Sequence, residues 1–326
     1  MSRADDVEEA LSSAALTVAL PHSLPVTDDG GHPATGDPVH PVTTARGLQG
    51  RMARFSDGSV HQARRDRVLA LLPDAGATRQ SAREMTSAEL AGQHGPVEAM
   101  DLARRMPVAV LARALGVPAG RALAVAADTG ALCAALAPAA APAALAGGDQ
   151  AAAALLTALA GPVGLSGSAA EDRAVTDRAV AVVSVLFQAH DAMAALIGLA
   201  LEAMVVTPLA TPAELVDRAL RDDPPVQCTR RTTVTPAVIS GVTIPAGAAV
   251  WLLLAAAEHG APWPPATFGA GPHACPGREL ATALAQGVLL GLLDDGWEPV
   301  TGPGGELGYE PRPNLRMPRS APICRR

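Results

Sequence analysis

Cys275 lies in a loop whose residue types could hold a thiolate against a large, flat cofactor. The loop reads Phe-Gly-Ala-Gly-Pro-His-Ala-Cys-Pro-Gly over residues 268–277. Gly271 and Gly277 let the backbone turn sharply and approach a ring without a Cβ in the way. A helix predicted to begin at Gly277 would direct free N–H groups at the sulfur, which favours the thiolate. The alternative is a structural cysteine, packed as a small hydrophobe in a glycine-rich turn.

Two cationic residues one turn apart form a second candidate site. His61 and Arg65 share one face of a helix predicted over residues 59–72, after a turn at Asp57-Gly58. Together they could hold a carboxylate. The alternative is an exposed, basic helix face.

The hydrophobic pattern predicts the elements that must position these residues. Further helices are predicted over 5–16, 172–206, 212–221 and 277–293, with two or three more in 80–135. Strand signals run through 226–254, and residues 22–44 and 301–305 look like loops. Residues 134–167 are mostly Ala, Leu, Pro and Gly, which fits either the short helices of a mobile lid or a poorly ordered segment.

Composition narrows the class of protein. The chain has 326 residues and a net charge of −7, and no basic stripe suggests nucleic acid. Its four cysteines form no C-x-x-C pair, which argues against a disulfide framework or a zinc site. The polar N-terminus resembles neither a signal peptide nor an anchor. Polar residues interrupt the apolar stretch 179–206, so we expect no membrane span and a cytoplasmic protein.

The loop around Cys275 resembles the haem-binding loop of the cytochrome P450 family, Phe-x-x-Gly-x-His-x-Cys-x-Gly, and matches it at every specified position. The resemblance implies a mainly α fold with a small mixed β-sheet and haem b as cofactor. It makes Cys275 the thiolate ligand of the iron. The cofactor-binding residues that it implies are His61, Arg65, Arg231, Phe268, Gly269, His273, Cys275 and Gly277.

Among these residues, the resemblance assigns His61, Arg65, Arg231 and His273 to the haem propionates. Arg231 follows Asp222-Asp223-Pro224-Pro225 in the sequence, and this segment resembles the one that comes after the K helix in the family. For Arg231 the alternative is a surface strand arginine. The implied architecture is one shortened haem domain over residues 1–326. It includes a C-helix-like segment at 52–72, a possible lid at 134–167, an I-helix-like segment at 172–206, a K-helix-like segment at 212–221, and the haem loop with its helix at 268–293.

The segment Gln188–Ala194 is similar to the family's I-helix motif Ala-Gly-x-(Asp/Glu)-Thr, with one departure. Ala189 and Asp191 occupy motif positions, but Ala192 replaces the threonine that helps to deliver protons. A methyl group has no proton to donate. Asp191 could still supply protons through water, and the alternative is a solvated helix carboxylate.

Two further departures concern the K helix and the chain length. Arg221 matches the arginine of the family's Glu-x-x-Arg, but Arg218 stands where the glutamate belongs, so Asp217 or Glu214 could pair instead. Asp6–Leu11 resembles the entry to the B helix, which implies that the usual N-terminal helix and first strands are absent. Few residues, Trp263 among them, separate Glu258 from Phe268, so the meander that helps to form the redox-partner face is largely missing.

The resemblance implies a P450-type monooxygenase that oxidises a small organic molecule, plausibly in bacterial secondary metabolism. No flavin or nicotinamide fingerprint is present, so electrons would come from a separate ferredoxin and reductase or from peroxide. One alternative is a haem-thiolate enzyme that does not activate O2. It would use peroxide or catalyse a rearrangement, dehydration or bond formation. Another is an auxiliary protein that stabilises a partner enzyme. Substrate, regiochemistry, oxidant and oligomeric state stay open.

Overall fold

The computed structural model describes residues 1–18, 40–137, 140–160, 169–258, 266–300 and 308–325. Helices dominate these residues. They are α1 (Ala4–Ser12), α2 (Ala45–Gln49), α3 (Gly58–Leu69), α4 (Ala75–Leu90), α5 (Ala99–Ala114), α6 (Ala122–Leu136), α7 (Pro142–Ala160), α8 (Ala169–Val206), α9 (Pro212–Asp222), α10 (Leu254–Glu258) and α11 (Arg278–Asp294). Short 3-10 turns lie at Ala53–Phe55, Ala119–Arg121, Ala266–Phe268 and Gly271–His273.

Helix α8 is the central element of the larger hydrophobic core. Residues 179–186 and 193–201 are all buried, as expected for a helix that is apolar on every side. Helices α3, α5, α6, α7, α9 and α11 pack around it. Helix α4 packs along α11 on the outside of this bundle. The core therefore fixes the middle of α8 relative to α3 and α11, the two helices that carry the candidate site.

The β-structure is small, and its strands pair antiparallel. Strands β1 (Leu16–Thr17), β3 (Thr229–Thr233) and β6 (Ala249–Leu252) form one sheet in the order β1-β3-β6. A second sheet has the order β2-β8-β7, from β2 (Val97–Glu98), β8 (Pro322–Arg325) and β7 (Trp297–Pro299). Strands β4 (Ala237–Ile239) and β5 (Val242–Ile244) form a hairpin. Ser240 and Gly241 turn it with positive φ angles of 46° and 77°, as a two-residue hairpin turn requires.

Most predicted elements are confirmed, and the exceptions have local causes. The mainly helical class and the helices over 59–72, 172–206, 212–221 and 277–293 agree with α3, α8, α9 and α11 within a few residues. The predicted helix 5–16 is wrong at its end, because α1 stops at Ser12 and Leu16 pairs with Thr233 in a sheet. The possible lid contains one 19-residue helix, α7, packed on α6 and α8. The region around Trp263, the predicted turn at 301–305 and most of the predicted loop 22–44 lie outside the described residues.

By length and composition alone, three helical stretches could cross a membrane. They are Ala119–Leu136, Pro142–Ala160 and Arg173–Val206, and 72% of the most apolar window of the last stretch is buried inside the protein. The expectation of no membrane span therefore rests on the polar residues within these stretches rather than on their length or hydropathy.

Candidate cofactor site

The loop before α11 is held by its own backbone, so that Cys275 is presented at a defined place. The Cys275 N–H donates to the carbonyl of Phe268 at 2.8 Å, and the Ala274 N–H donates to Gly271 at 3.1 Å. Gly269 and Gly271 have φ angles of 68° and 64°, a region that favours glycine. A Cβ on Gly271 would also meet the carbonyl oxygen of Leu11 at 2.8 Å, because α1 packs against the loop. Phe268 packs its ring against the main core.

Gly277 differs from its predicted role. Its φ is −101°, so no left-handed turn requires a glycine there. Its backbone N–H instead hydrogen-bonds the sulfur of Cys275. A Cβ at this position would meet nothing within 4 Å, so open space lies beside the loop.

Solvent reaches Cys275, although protein atoms surround it closely enough for desolvation to dominate its ionisation. Burial raises the pKa of the thiol, while the Gly277 N–H and the charges of Arg54, Arg65 and Arg278 lower it and only partly offset the burial. A thiol that is accessible and yet largely enclosed lies in a cleft. The Gly277 N–H before α11 acts in the direction that the sequence predicted, toward the thiolate, but desolvation outweighs it together with the cations, so the pKa of the thiol is raised overall.

His61, His273 and Asp57 connect α3 to the loop. The rings of His61 and His273 stack with centroids 3.9 Å apart. The two nitrogens of His61 approach the carbonyl oxygens of Ala53 and Pro272, each at 3.0 Å. His61 therefore clamps the loop onto the start of α3, and its ring nitrogens are not free for a carboxylate.

His273 hydrogen-bonds Asp57 through Nε2 at 3.3 Å. Burial lowers the pKa of His273, as do the charges of His61 and Arg231, while the contact with Asp57 raises it. Burial alone would raise the pKa of Asp57, but hydrogen bonds from His273, Thr17 and the Val18 N–H hold it below its usual range.

Three arginines surround the cleft, and one of them was not predicted. Arg65 donates to the carbonyl of Ala274 at 2.8 Å. Arg231 is 7% exposed and donates to the Thr229 hydroxyl and to the Arg230 carbonyl, at 2.9 and 3.0 Å. Burial lowers the pKa of Arg231 to about 10, helped by the charge of Arg54. Arg54 itself interacts electrostatically with Cys275, and burial lowers its pKa.

The charges around the cleft fit a cofactor that carries carboxylates. Among the described residues, Arg54, Arg65 and Arg231 have no ion-pair partner, and Asp57 is the one carboxylate that interacts with Arg231. A buried cation without an ion-pair partner, as Arg231 is among the described residues, is costly unless an anion joins it. A cofactor with two carboxylates would supply that anionic charge. The residues present therefore fit haem, which Cys275 would hold through its iron.

The middle of α8 contains a short, partly exposed stretch. Phe187, Gln188, Ala189, Asp191 and Ala192 are partly exposed, whereas the turns on either side are buried. The ring of Phe187 makes an edge contact with Phe55, at 6.3 Å between centroids. Arg54 lies 5.9 Å above the Phe55 ring. This series of contacts runs from the exposed stretch of α8 to the charge that faces Cys275.

Asp191 belongs to an ion-paired network. Its Oδ1 contacts His190 Nδ1 at 2.8 Å, and its Oδ2 accepts from Arg312 at 2.9 Å. Arg312 also binds Glu310 at 3.0 Å. Burial alone would raise the pKa of Asp191, but the His190 hydrogen bond and the charges of His190 and Arg312 hold it below its usual range. The alternative of a freely solvated carboxylate is therefore wrong. Sequence reasoning missed Arg312, which lies 121 positions away.

Helix α9 resolves which acid accompanies Arg221. Asp217 pairs with it at 2.8 Å, one turn away, while Glu214 forms a capping box with Thr211 at the start of the helix. The Arg221 side chain is 60% exposed, so this pair is a surface ion pair. The buried pair implied by Glu-x-x-Arg is absent at these positions.

Comparisons with known proteins identify the fold. No family model matches the chain, and no curated protein matches it either. Solved bacterial cytochrome P450 structures match over nearly its whole length. CalO2 matches with a TM-score of 0.77 and 21% identity, over 100% of this chain and 90% of CalO2. P450BioI, solved in complex with a ligated acyl carrier protein, matches with a TM-score of 0.75 and 19% identity, over 99% of this chain and 91% of P450BioI.

A third structure, CxnD, is described as a P450 for C-S bond formation in chuangxinmycin biosynthesis. It matches with a TM-score of 0.72 and 20% identity, over 99% of this chain and 87% of CxnD. The chain therefore has the cytochrome P450 fold.

Proposed function

We propose that the chain is a haem-thiolate oxidoreductase with Cys275 as the iron ligand. One observation carries the proposal: in a P450 fold, the family's loop presents an accessible thiol, hydrogen-bonded by Gly277, beside Arg54 and Arg65, which have no ion-pair partner among the described residues. Haem b bound by a thiolate supplies activation of oxygen or peroxide for oxidation of organic molecules.

The residues of the cleft take separate roles in this proposal. Arg54 and Arg231 carry the positive charge that receives the propionates, and Arg65 both faces the cofactor edge and holds the loop through Ala274. His61 and His273 are positioning residues in this proposal, because both nitrogens of His61 contact the carbonyl oxygens of Ala53 and Pro272, and Nε2 of His273 contacts Asp57. Gly269 gives the loop its shape.

The exposed stretch of α8 forms the wall against which a small organic substrate lies. Ala189 and Ala192 leave room there without contributing polar groups. The carboxylate of Asp191 is a proton acceptor beside this wall and forms an ion pair with Arg312. Because Ala192 has no hydroxyl, protons reach the site through Asp191 and water rather than through the residue beside it.

The electron source and cellular setting belong to the same proposal. Electrons come from a separate ferredoxin and reductase or from peroxide, and we propose a cytoplasmic enzyme with no nucleic-acid or membrane partner. A role in secondary metabolism is supported by the named biosynthetic role of CxnD, at 20% identity.

The loss of the threonine at position 192 favours a second candidate function, a haem-thiolate enzyme that does not activate O2. CxnD, a P450 named for bond formation, supports this alternative. A third candidate, an auxiliary protein that stabilises a partner enzyme, would not require an accessible cysteine beside Arg54 and Arg65, for which the described part of the chain offers no ion-pair partner.

The carbon monoxide difference spectrum of the reduced protein tests the proposal. Wild type should give the thiolate-type Soret band, and Cys275→Ser should lose it, because an alcohol does not replace the thiolate as ligand. Cys228→Ser is the control, since Cys228 is a buried cysteine away from the loop whose sulfur contacts the Pro313 carbonyl. A thiolate band that survives in Cys275→Ser, or protein that takes up no haem, would overturn the assignment.

A further inference from the structure

Cys133, His190 and Asp191 bring three metal-binding side chains together away from Cys275. Cys133 lies on α6, and the other two lie on α8. One ligand atom from each residue lies within 4.8 Å of the other two. Cys133 and His190 are 7% and 8% exposed. In the structure the Cys133 thiol contacts the carbonyl oxygen of Phe187 at 3.7 Å, and His190 contacts Asp191 at 2.8 Å.

We propose that these three side chains form a binding site for Zn2+. Zinc takes thiolate, imidazole and carboxylate ligands together in tetrahedral geometry, whereas magnesium and calcium prefer oxygen alone. Ligand atoms at usual zinc distances are about 3.3–3.8 Å apart. Shifts of about an ångström or less would therefore close the present arrangement around an ion. The partly exposed Asp191 leaves a fourth position open to water.

The surrounding contacts are compatible with a bound ion. Arg312 holds Oδ2 of Asp191 at 2.9 Å and orients the carboxylate, while Oδ1 contacts His190 Nδ1 at 2.8 Å. The ion would replace this contact between Asp191 and His190 and bind Oδ1 itself. The charge of Arg312 is balanced by Glu310 at 3.0 Å. Gly130 approaches the other ring nitrogen of His190, since a Cβ there would lie 3.1 Å from Nε2. The ring is thus confined between α6 and Asp191.

The chemistry of binding is a proton exchange. Burial raises the pKa of the Cys133 thiol well above its usual value, with Asp191 adding to the shift and Arg312 opposing it. The ion would displace the thiol proton to solvent and bind the thiolate. The neutral imidazole would bind through one nitrogen and keep its proton on the other. The ion would then link α6 to α8.

Zinc-edge X-ray absorption of protein titrated with ZnCl2 tests the site, because that signal is specific to zinc whether or not haem iron is present. We expect one Zn2+ per chain, with a sulfur neighbour at about 2.3 Å. Cys133→Ser should remove the sulfur signal and weaken zinc affinity by at least about 100-fold, since even second-shell changes cost 10–100-fold. Zinc should also raise the Tm of wild type but not of this variant.

Cys275→Ser is the decisive control, because an accessible thiol near two histidines could itself bind zinc. The proposal requires the sulfur signal to persist in Cys275→Ser. His190→Gln keeps both cysteines and should also weaken binding, which maintains the test if Cys133→Ser does not fold. Loss of the signal in Cys275→Ser, its persistence in Cys133→Ser, or unchanged affinity in His190→Gln would each overturn the site.

Discussion

At the scale of single residues, the site is defined by cations whose acidic partners are missing from the described chain. Arg54 and Arg231 lie close enough for the charge of Arg54 to lower the pKa of Arg231. Arg231 is buried and Arg54 is exposed, so the unfavourable burial of positive charge falls on Arg231, and the like charge of Arg54 adds to it. Binding of a dianionic cofactor relieves this repulsion, so the arginines make the free energy of cofactor binding more favourable.

Replacing the site arginines should weaken haem binding without removing the iron ligand. A charge-assisted hydrogen bond contributes about 1.5–3 kcal/mol, so we expect Arg231→Ala and Arg54→Ala each to lower haem affinity about 10- to 100-fold. Haem transfer to a stronger acceptor measures this affinity.

Arg67→Ala is the matched control, because Arg67 pairs with Asp177 on α8 and not with groups of the cleft. Equal haem affinity in Arg67→Ala, Arg231→Ala and Arg54→Ala would contradict the assignment.

The second prediction at this scale concerns the missing hydroxyl on α8. Proton delivery by a positioned group is worth roughly 10²–10⁴-fold in rate, so Ala192→Thr should increase the product formed per electron consumed. Asp191→Asn should decrease it, because the amide does not accept and release a proton as a carboxylate does.

The measurement is product yield against reductant consumed, once a substrate is known. Tight coupling in wild type that Ala192→Thr does not improve would contradict this view. Turnover with peroxide but not with a reductase system would favour the enzyme that does not activate O2.

At the scale of elements, α7 shows how a segment of ambiguous composition becomes fixed. Residues 134–167 allowed either a mobile lid or a poorly ordered stretch, yet α7 forms 19 helical residues. Gly148 faces α6 so closely that a Cβ there would overlap the Cβ of Ala135. Small side chains let α6 and α7 approach closely, and this close contact holds α7 in place although its sequence has few large apolar residues.

Two adjacent glycines test this packing. Gly148→Ala should lower the free energy of unfolding by about 1–3 kcal/mol, because the added methyl group overpacks the contact with α6. In the same helix, a Cβ on Gly147 meets nothing within 4 Å. Gly147→Ala should therefore raise stability by about 0.5–1 kcal/mol through helix propensity. Chemical denaturation measures both variants, and equal effects would show that α7 does not pack on α6.

At the scale of the whole molecule, Glu98 links the start of α5 to the residues just before strand β8. Its carboxylate accepts from the Met100 N–H at 2.9 Å, which caps α5, and from the Ala321 N–H at 2.7 Å. It also accepts from the Ser320 hydroxyl. Burial alone would raise the pKa of Glu98, but these three hydrogen bonds hold it below its usual value of 4.5.

A carboxyl with a depressed pKa in the folded state stabilises the protein above its unfolded pKa. That stability is lost as the pH falls through the folded value. The free energy of unfolding should therefore decline below about pH 4.5, the usual carboxyl value. Glu98→Gln should lower stability at pH 7 and make the decline shallower.

Urea denaturation between pH 7 and pH 3 measures these slopes. Ser320→Ala, which removes one donor and keeps the carboxylate, should give a smaller change in the same direction. An unchanged slope in Glu98→Gln would contradict the role of this carboxylate.

The sequence alone determined those features that depend on neighbours along the chain. The loop 268–277, the helix after it, the His61-Arg65 spacing and the 226–254 strand region could be read from local pattern, because turn chemistry and helical period act within a few residues. The P450 fold followed from the loop resemblance, and the structural comparisons confirm it. The end of α1 was predicted wrongly, because Leu16 pairs with Thr233 and a partner more than 200 residues away overrides local propensity.

Only the tertiary structure decided which side chains meet across the molecule. In the folded chain Arg54 lies near Cys275, and His61 contacts the Pro272 carbonyl. Cys133 lies beside His190 and Asp191. These meetings are set by the packing of α3, α6 and α8 in one core, and no local pattern encodes the distance between residues on different helices. The ionisation of Cys275 also depends on that packing, since burial opposes the helix N-terminus that the sequence pattern predicted to favour the thiolate.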